Sequence, residues 1–216
     1  DALRAADLEV AGWVTYRDLH RLLHRTYDPD GRCVDGDARS DAVHDVFAPM
    51  GVQESWSHLR TDSAFHAVYW ISEWPRADVA PSFLQPLLLA PGAARSFSLL
   101  IEPLPVSEAM RDIRRAKVEL AADSSQRSRI GRVEDESARA EADDVARRER
   151  ELVAGHGDLR FTGLVTVTAS TLEELGEACR ATEAAAARSM CELRLLVGQQ
   201  AAAHAVAALP FARSAS

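Results

Sequence analysis

Between Arg111 and Glu151 the chain carries eleven basic and eleven acidic side chains, few large apolar residues and a single glycine. Charged side chains are almost never fully buried unless paired, so this stretch cannot be core. Its near lack of breakers predicts solvated helix instead. Val106, Met110, Ile113 and Leu120 recur at threes and fours on the way in, and Ala138, Ala142, Val145 and Leu152 do so on the way back. A helical hairpin follows, with its tip near Ser124 to Gly131 and its end at Gly155-His156-Gly157. Whatever surrounds it must be a fold that tolerates an insertion at about 106–154.

The flanking segments read as strands and crossover helices. Ser63 to Trp74 is apolar on both alternating sets, Phe65, Tyr69 and Ile71 against Val68, Trp70 and Trp74, the pattern of a strand inside a sheet. Pro75 ends it, and a short helix around Pro81 to Leu89 leads to a turn at Pro91-Gly92. A second strand runs from Arg95 to Glu102 and is stopped by Pro103 and Pro105. The third, Leu159 to Ala169, has the clearest alternation in the chain, with Leu159, Phe161, Val165 and Val167 against Arg160, Thr162, Thr166 and Thr168. Ser170 with Glu173 predicts a capping box for the Ala-rich helix that follows. A fourth strand from Cys191 to Val197 and a last helix from Gln199 to about Leu209 complete the pattern.

Upstream, Thr15 caps a predicted helix whose Tyr16, Leu19, Leu23 and Tyr27 share one face, and Asp28-Pro29-Asp30-Gly31 stops it. A loop to Ser40 and a short helix from Asp41 to Phe47 follow. The expected organisation is therefore α+β. Residues 1–60 form an N-terminal helical and loop segment, and 61–213 a ferredoxin-like split βαβ sheet with the charged helical hairpin inserted.

Composition narrows the function classes. The chain has 216 residues, 47% of them hydrophobic, enough for one large or two small domains with a core. It begins at Asp1 and shows no basic then apolar leader, which reads as an internal fragment. Apolar stretches such as Phe83 to Ala90 fall short of the roughly 18 residues a membrane span needs. A net charge of -8 is the wrong sign for gripping phosphate backbones. The cysteines Cys33, Cys179 and Cys191 are odd in number and widely spaced, which supports neither a disulfide framework nor a zinc knuckle and suits a reducing compartment.

Candidate sites are few. His20 and His24 lie four apart on the first helix, where they can share a metal with Cys33 as a third ligand, but no glutamate follows His20 as a metalloprotease helix requires, and two solvated histidines are the simpler reading. Phosphate binding needs a glycine-rich loop opening a helix, and the only lysine, Lys117, sits in the hairpin. No Gly-x-Ser-x-Gly occurs, and Asp143-Asp144 reads as a solvated face instead of an acid-base pair. Cys179 and Cys191 read as small core residues. Trp56, Trp70 and Trp74 could form an aromatic platform, but a strand so rich in apolar residues reads as core. The residues thus assign no catalytic, cofactor-binding or metal site, and no cofactor. Arg127, Arg129 and Arg132 near the hairpin tip are the candidate partner contacts, able to touch an acidic protein, nucleic acid or anionic headgroups, with simple solvation as the plainer reading.

Three stretches carry a family resemblance: Arg60-Thr61-Asp62-Ser63 leading into HAVYWISEWP, the RREREL run from Arg147 to Leu152, and the segment from Gly157 to Phe211. In the last, FTGLVTVT from Phe161, TLEEL from Thr171, LRLLVGQQ from Leu193 and a closing ALPF together resemble the N-terminal region of the VirB/TrbE/CagE type IV secretion and conjugation ATPases. The whole chain, from about Leu3 to Arg213, is most similar to an actinobacterial, membrane-associated branch of that group. The resemblance implies a non-catalytic scaffold at the cytoplasmic face of the cell membrane, tethered through segments outside this fragment. Its partners would be other secretion-system proteins including an ATPase, with possible self-association. The motor that follows such a region in the family is not matched by any residue here. Two rivals stand beside this reading: a nucleic-acid-handling module using the arginine-rich tip, although the charge makes nucleic acid an unlikely partner, and a small-molecule enzyme whose groups converge only in the fold.

Overall fold

The computed structural model describes residues 11–29, 49–75, 78–92, 94–129 and 136–209. The predicted short helix at Asp41 to Phe47 lies outside the described residues. Helix α1 (Tyr16–Tyr27) starts where Thr15 accepts a hydrogen bond from the Asp18 N–H and buries Leu23, whereas Tyr16 on the same predicted face is exposed. Two short strands, β1 (Gln53–Glu54) and β2 (Leu59–Arg60), precede β3 (Phe65–Glu73). Then come α2 (Gln85–Leu88), β4 (Ala94–Leu104), α3 (Val106–Arg129), α4 (Glu136–Val153), β5 (Asp158–Ala169), α5 (Leu172–Arg188), β6 (Glu192–Leu195) and α6 (Gln200–Ala207).

The fold is α+β, built on an antiparallel sheet in which β3 is central. On one edge β3 pairs with β5, from Phe65↔Ala169 to Trp70↔Leu164. On the other it pairs first with β2, at Leu59↔His66 and Arg60↔Phe65, and then with β6, from Tyr69↔Leu195 onward. β4 lies beyond β5 at the margin of the strand order. Helices cover both faces of β3, which explains why it is apolar on both alternating sets. Its odd residues Ala67, Tyr69 and Ile71 pack with Val165 and Val167 of β5 against Leu175, Ala185 and Ala186 of α5 and Leu87 of α2. On the even side, Val68 and Leu164 pack against Ala203 and Ala207 of α6. Gly163 is on the first face because a Cβ there would stand 2.6 Å from the Trp74 ring and 2.8 Å from Ile71.

Several details depart from the sequence reading. Strand β4 continues through Pro103 to Leu104, which an edge strand permits because the missing N–H need not face a partner. The capping box of α5 is formed by Thr171 and Glu174, one residue later than the predicted Ser170 and Glu173: the Thr171 hydroxyl accepts from the Glu174 N–H and the Glu174 carboxylate accepts from the Thr171 N–H. Strand β6 is shorter than Cys191 to Val197, since the chain turns at Val197-Gly198 with Gly198 at φ 69°. The strands β1 and β2 have no counterpart in the expected element order, and at two residues each they are too short for alternation to register.

The chain divides into two compact units, Asp1–Leu100 with Thr162–Ser216, and Ile101–Phe161. The second contains α3 and α4, so the predicted insertion is a unit in its own right.

Candidate functional site

In the second unit, the Pro105 carbonyl accepts from the N–H groups of Glu108 and Ala109 and opens α3. Its 24 residues span roughly 36 Å at 1.5 Å per residue. Ala109 and Ile113 are buried with Leu152 of α4, with Leu104, Met110 and Val145 packed around them. This cluster occupies one end of the helix pair. Further along, Lys117 of α3 forms an ion pair with Glu149 of α4, and beyond that point the side chains of Ala121 to Gln126 are all exposed. Pairing of Ile113 with Leu152 and of Lys117 with Glu149 makes the helices antiparallel, the expected hairpin.

Charged groups gather at the apolar end. Arg148 donates through Nε to Asp158 at 2.9 Å and also through a terminal nitrogen. Arg160 lies 3.8 Å from both Glu108 and Asp112, which are one helical turn apart on α3. Arg148, Asp158, Arg160 and Asp112, together with Leu104, Leu159 and Phe161, line an open cleft of about 450 Å³. Each guanidinium there faces a carboxylate, so the cleft presents alternating charge to a partner and no concentrated field of one sign. Sequence reading placed Asp112 and Arg148 in helix and Leu159, Arg160 and Phe161 in strand, left Leu104 and Asp158 outside both, and did not foresee the cleft. Ion pairing between residues ten or more apart leaves no periodic signal.

Of the predicted contact residues, Arg127 and Arg129 fall toward the other end of α3. The backbone of Arg127 and Arg129 belongs to the last turns of α3, while their side chains and all of Arg132 lie outside the described residues. Of the metal candidates, His20 and His24 sit on α1, half-buried, with the His20 ring 6.2 Å from Tyr16 and the His24 carbonyl accepting from the Asp28 N–H. Cys33 lies outside the described residues. Among the described residues no three His, Cys, Asp or Glu side chains gather as metal ligands. Cys191 is buried, Cys179 packs against the same cluster, and burial raises the thiol pKa of each. Two of the three tryptophans read as core are not core: Trp56 is 74% exposed and lies over Gly198, and Trp70 is 38% exposed.

A second polar constellation, which the sequence reading did not foresee, lies in the first unit, wholly buried. His66 of β3 and His204 of α6 are 0% and 1% exposed, with ring centroids 4.5 Å apart. Thr61 lies 2.9 Å from His66 Nε2, and Thr168 of β5 lies 2.9 Å from Nδ1. The Thr61 hydroxyl donates to the Tyr27 carbonyl at 2.9 Å, so it accepts from Nε2–H and leaves Nδ1 to accept from Thr168. Burial, aided by His204, lowers the His66 pKa to about 3. Burial likewise lowers that of His204 to about 4, against the opposing effect of a hydrogen bond to the Thr26 backbone. Both rings are therefore neutral at pH 7.

No protein-family model matches the chain, and no curated protein matches it significantly. Among the described residues, no helix is long and apolar enough to cross a membrane.

Proposed function

We propose that the chain is a docking module without catalytic work of its own: an α+β platform bearing a charged helical contact arm. The observation that carries this reading is the arm. Among the described residues its helices share a buried apolar cluster at one end, while Ala121 to Gln126 beyond it are exposed and the arm as a whole is close to electroneutral. A hairpin that buries so little of itself gains order when a partner covers it. Balanced charge suits a protein surface of mixed sign better than a phosphate backbone, which selects for net positive charge.

The machine in which it docks is inferred from the sequence resemblance alone: a type IV secretion-like, conjugation-related assembly at the cytoplasmic face of the cell membrane. Its partners there would be other secretion components, including an ATPase. A finer reading of the platform is a ferredoxin-like split βαβ sheet. The strand order β6-β3-β5-β4 supports it, since it places the first and third strands of that motif side by side at the centre.

The test is affinity capture of the full-length protein from membranes of its host, alongside a deletion of Ser107 to Leu152. The expected result is that secretion components, the ATPase among them, co-purify and that the deletion loses them. Equal capture by the deleted protein would remove the arm from the account. Capture of nucleic acid alone, with steep salt dependence and loss on changing Arg127, Arg129 and Arg132 to Ala, would replace the proposal with the nucleic-acid reading.

A further inference from the structure

The buried histidine pair sits where α1 meets the sheet. The His204 ring stacks 5.2 Å from Tyr27, the last residue of α1, and hydrogen-bonds the Thr26 backbone. Thr61 joins the Tyr27 carbonyl to His66, and Ser63 donates to the Asp28 carboxylate just past the helix. These four ties all gather at the C-terminal turn of α1. By contrast α6, which carries His204, is fixed to the sheet by its own devices. The Gln200 amide is bonded to Val68 and Leu196, and the Glu54 carboxylate accepts from the Ala201 N–H.

We propose that His66 and His204 form an acid-released latch, which holds the C-terminal turn of α1 on the sheet while both imidazoles are neutral and frees it when one takes up a proton. A buried imidazolium needs a carboxylate or water. Neither imidazole has a carboxylate among its hydrogen-bond partners.

The groups on each packed element show why. α1 brings the Tyr27 phenol, itself held neutral by burial, and Asp28, which is engaged by Ser63. β1 brings Glu54, which is bound at the start of α6, and β2 brings Arg60, which lies over the Phe65 ring. β5 brings Thr168, and α6 has no Asp, Glu, Lys or Arg between Gln200 and Ala207. Water must then come in, and the element whose removal admits it at least cost is α1.

The sign follows from linkage. Both pKa values lie below the unperturbed 6.5, so the released state binds more protons once pH falls below about 6.5. Docking is complete above that value and weakens progressively as pH falls toward the folded pKa values of about 4 and 3.

Amide hydrogen exchange of the full chain at pH 7.5 and 4.5, expressed as protection factors, tests this. Protection across Tyr16 to Tyr27 is expected to fall at least tenfold at the lower pH while that of β3 stays unchanged. His204→Phe combined with His66→Gln removes both titrating rings while keeping an aromatic ring against Tyr27 and an amide facing Thr61 and Thr168, and this double variant is expected to remain docked at both pH values. His204→Phe alone, which leaves His66 to titrate and is expected to show a smaller loss than the parent chain, serves if the double variant does not fold. Unchanged α1 protection, simultaneous loss in α1 and β3, or the same loss in the folded variant would overturn the latch.

Discussion

Gln200 fills a gap that no strand covers. Along one edge of β3, pairing with β2 ends at His66 and pairing with β6 begins at Tyr69. Between them the Gln200 side chain accepts from the Val68 N–H at 2.8 Å and donates to the Leu196 carbonyl at 2.7 Å, fully buried. It acts as a short substitute strand. Gln200→Ala would leave the buried Val68 N–H without its acceptor, at roughly 1–3 kcal/mol, while the half-buried Leu196 carbonyl keeps a longer bond from the Gln199 N–H. The expected loss is about 2 kcal/mol, read as a lower midpoint in urea unfolding with an unchanged slope. A glutamine after a turn carries no sequence signal of this role, because the role depends on a strand more than a hundred residues away. The histidine pair escaped sequence reading for the same reason: His66 sits in an apolar strand and His204 in an Ala-rich helix, and only the sheet brings them together.

Elements were legible where one segment decides them. β3, β5 and α5 follow their alternation and helical spacing because burial on known faces and a local cap are enough. The one-residue shift of the capping box from Ser170 to Thr171 shows the limit. Two adjacent hydroxyl residues, each followed at three by a glutamate, offer the same pattern, and the end of β5 at Ala169 decides between them. Thr171→Ala should therefore lower stability by about 1 kcal/mol, with helix loss beginning at the α5 N-terminus, as circular dichroism and amide exchange would show. The short strands β1 and β2 were missed because tertiary pairing with β3, and no local pattern, makes them strands. Pro103 misled for a related reason. A proline stops a central strand, and the sequence does not say that β4 lies at the margin.

At the scale of the whole molecule, the hairpin was the most legible part in outline and the least in detail. Its charge balance and spacing announced two solvated helices, while the Arg148–Asp158 and Lys117–Glu149 pairs that order one end depend on which residues the turn brings opposite each other. A chain of net charge -8 that keeps an almost neutral arm separates its general solubility from its contact surface. The central claim is that this arm, and not the platform, meets the partner. Site-specific photo-crosslinking in the host tests it most directly, with the reactive side chain placed at Val118 on α3, 69% exposed, or at Leu172 on α5, 52% exposed. The account predicts a discrete adduct with a secretion component from Val118 and none from Leu172. Adducts from Leu172 alone, or none from Val118 in the assembled machine, would contradict it.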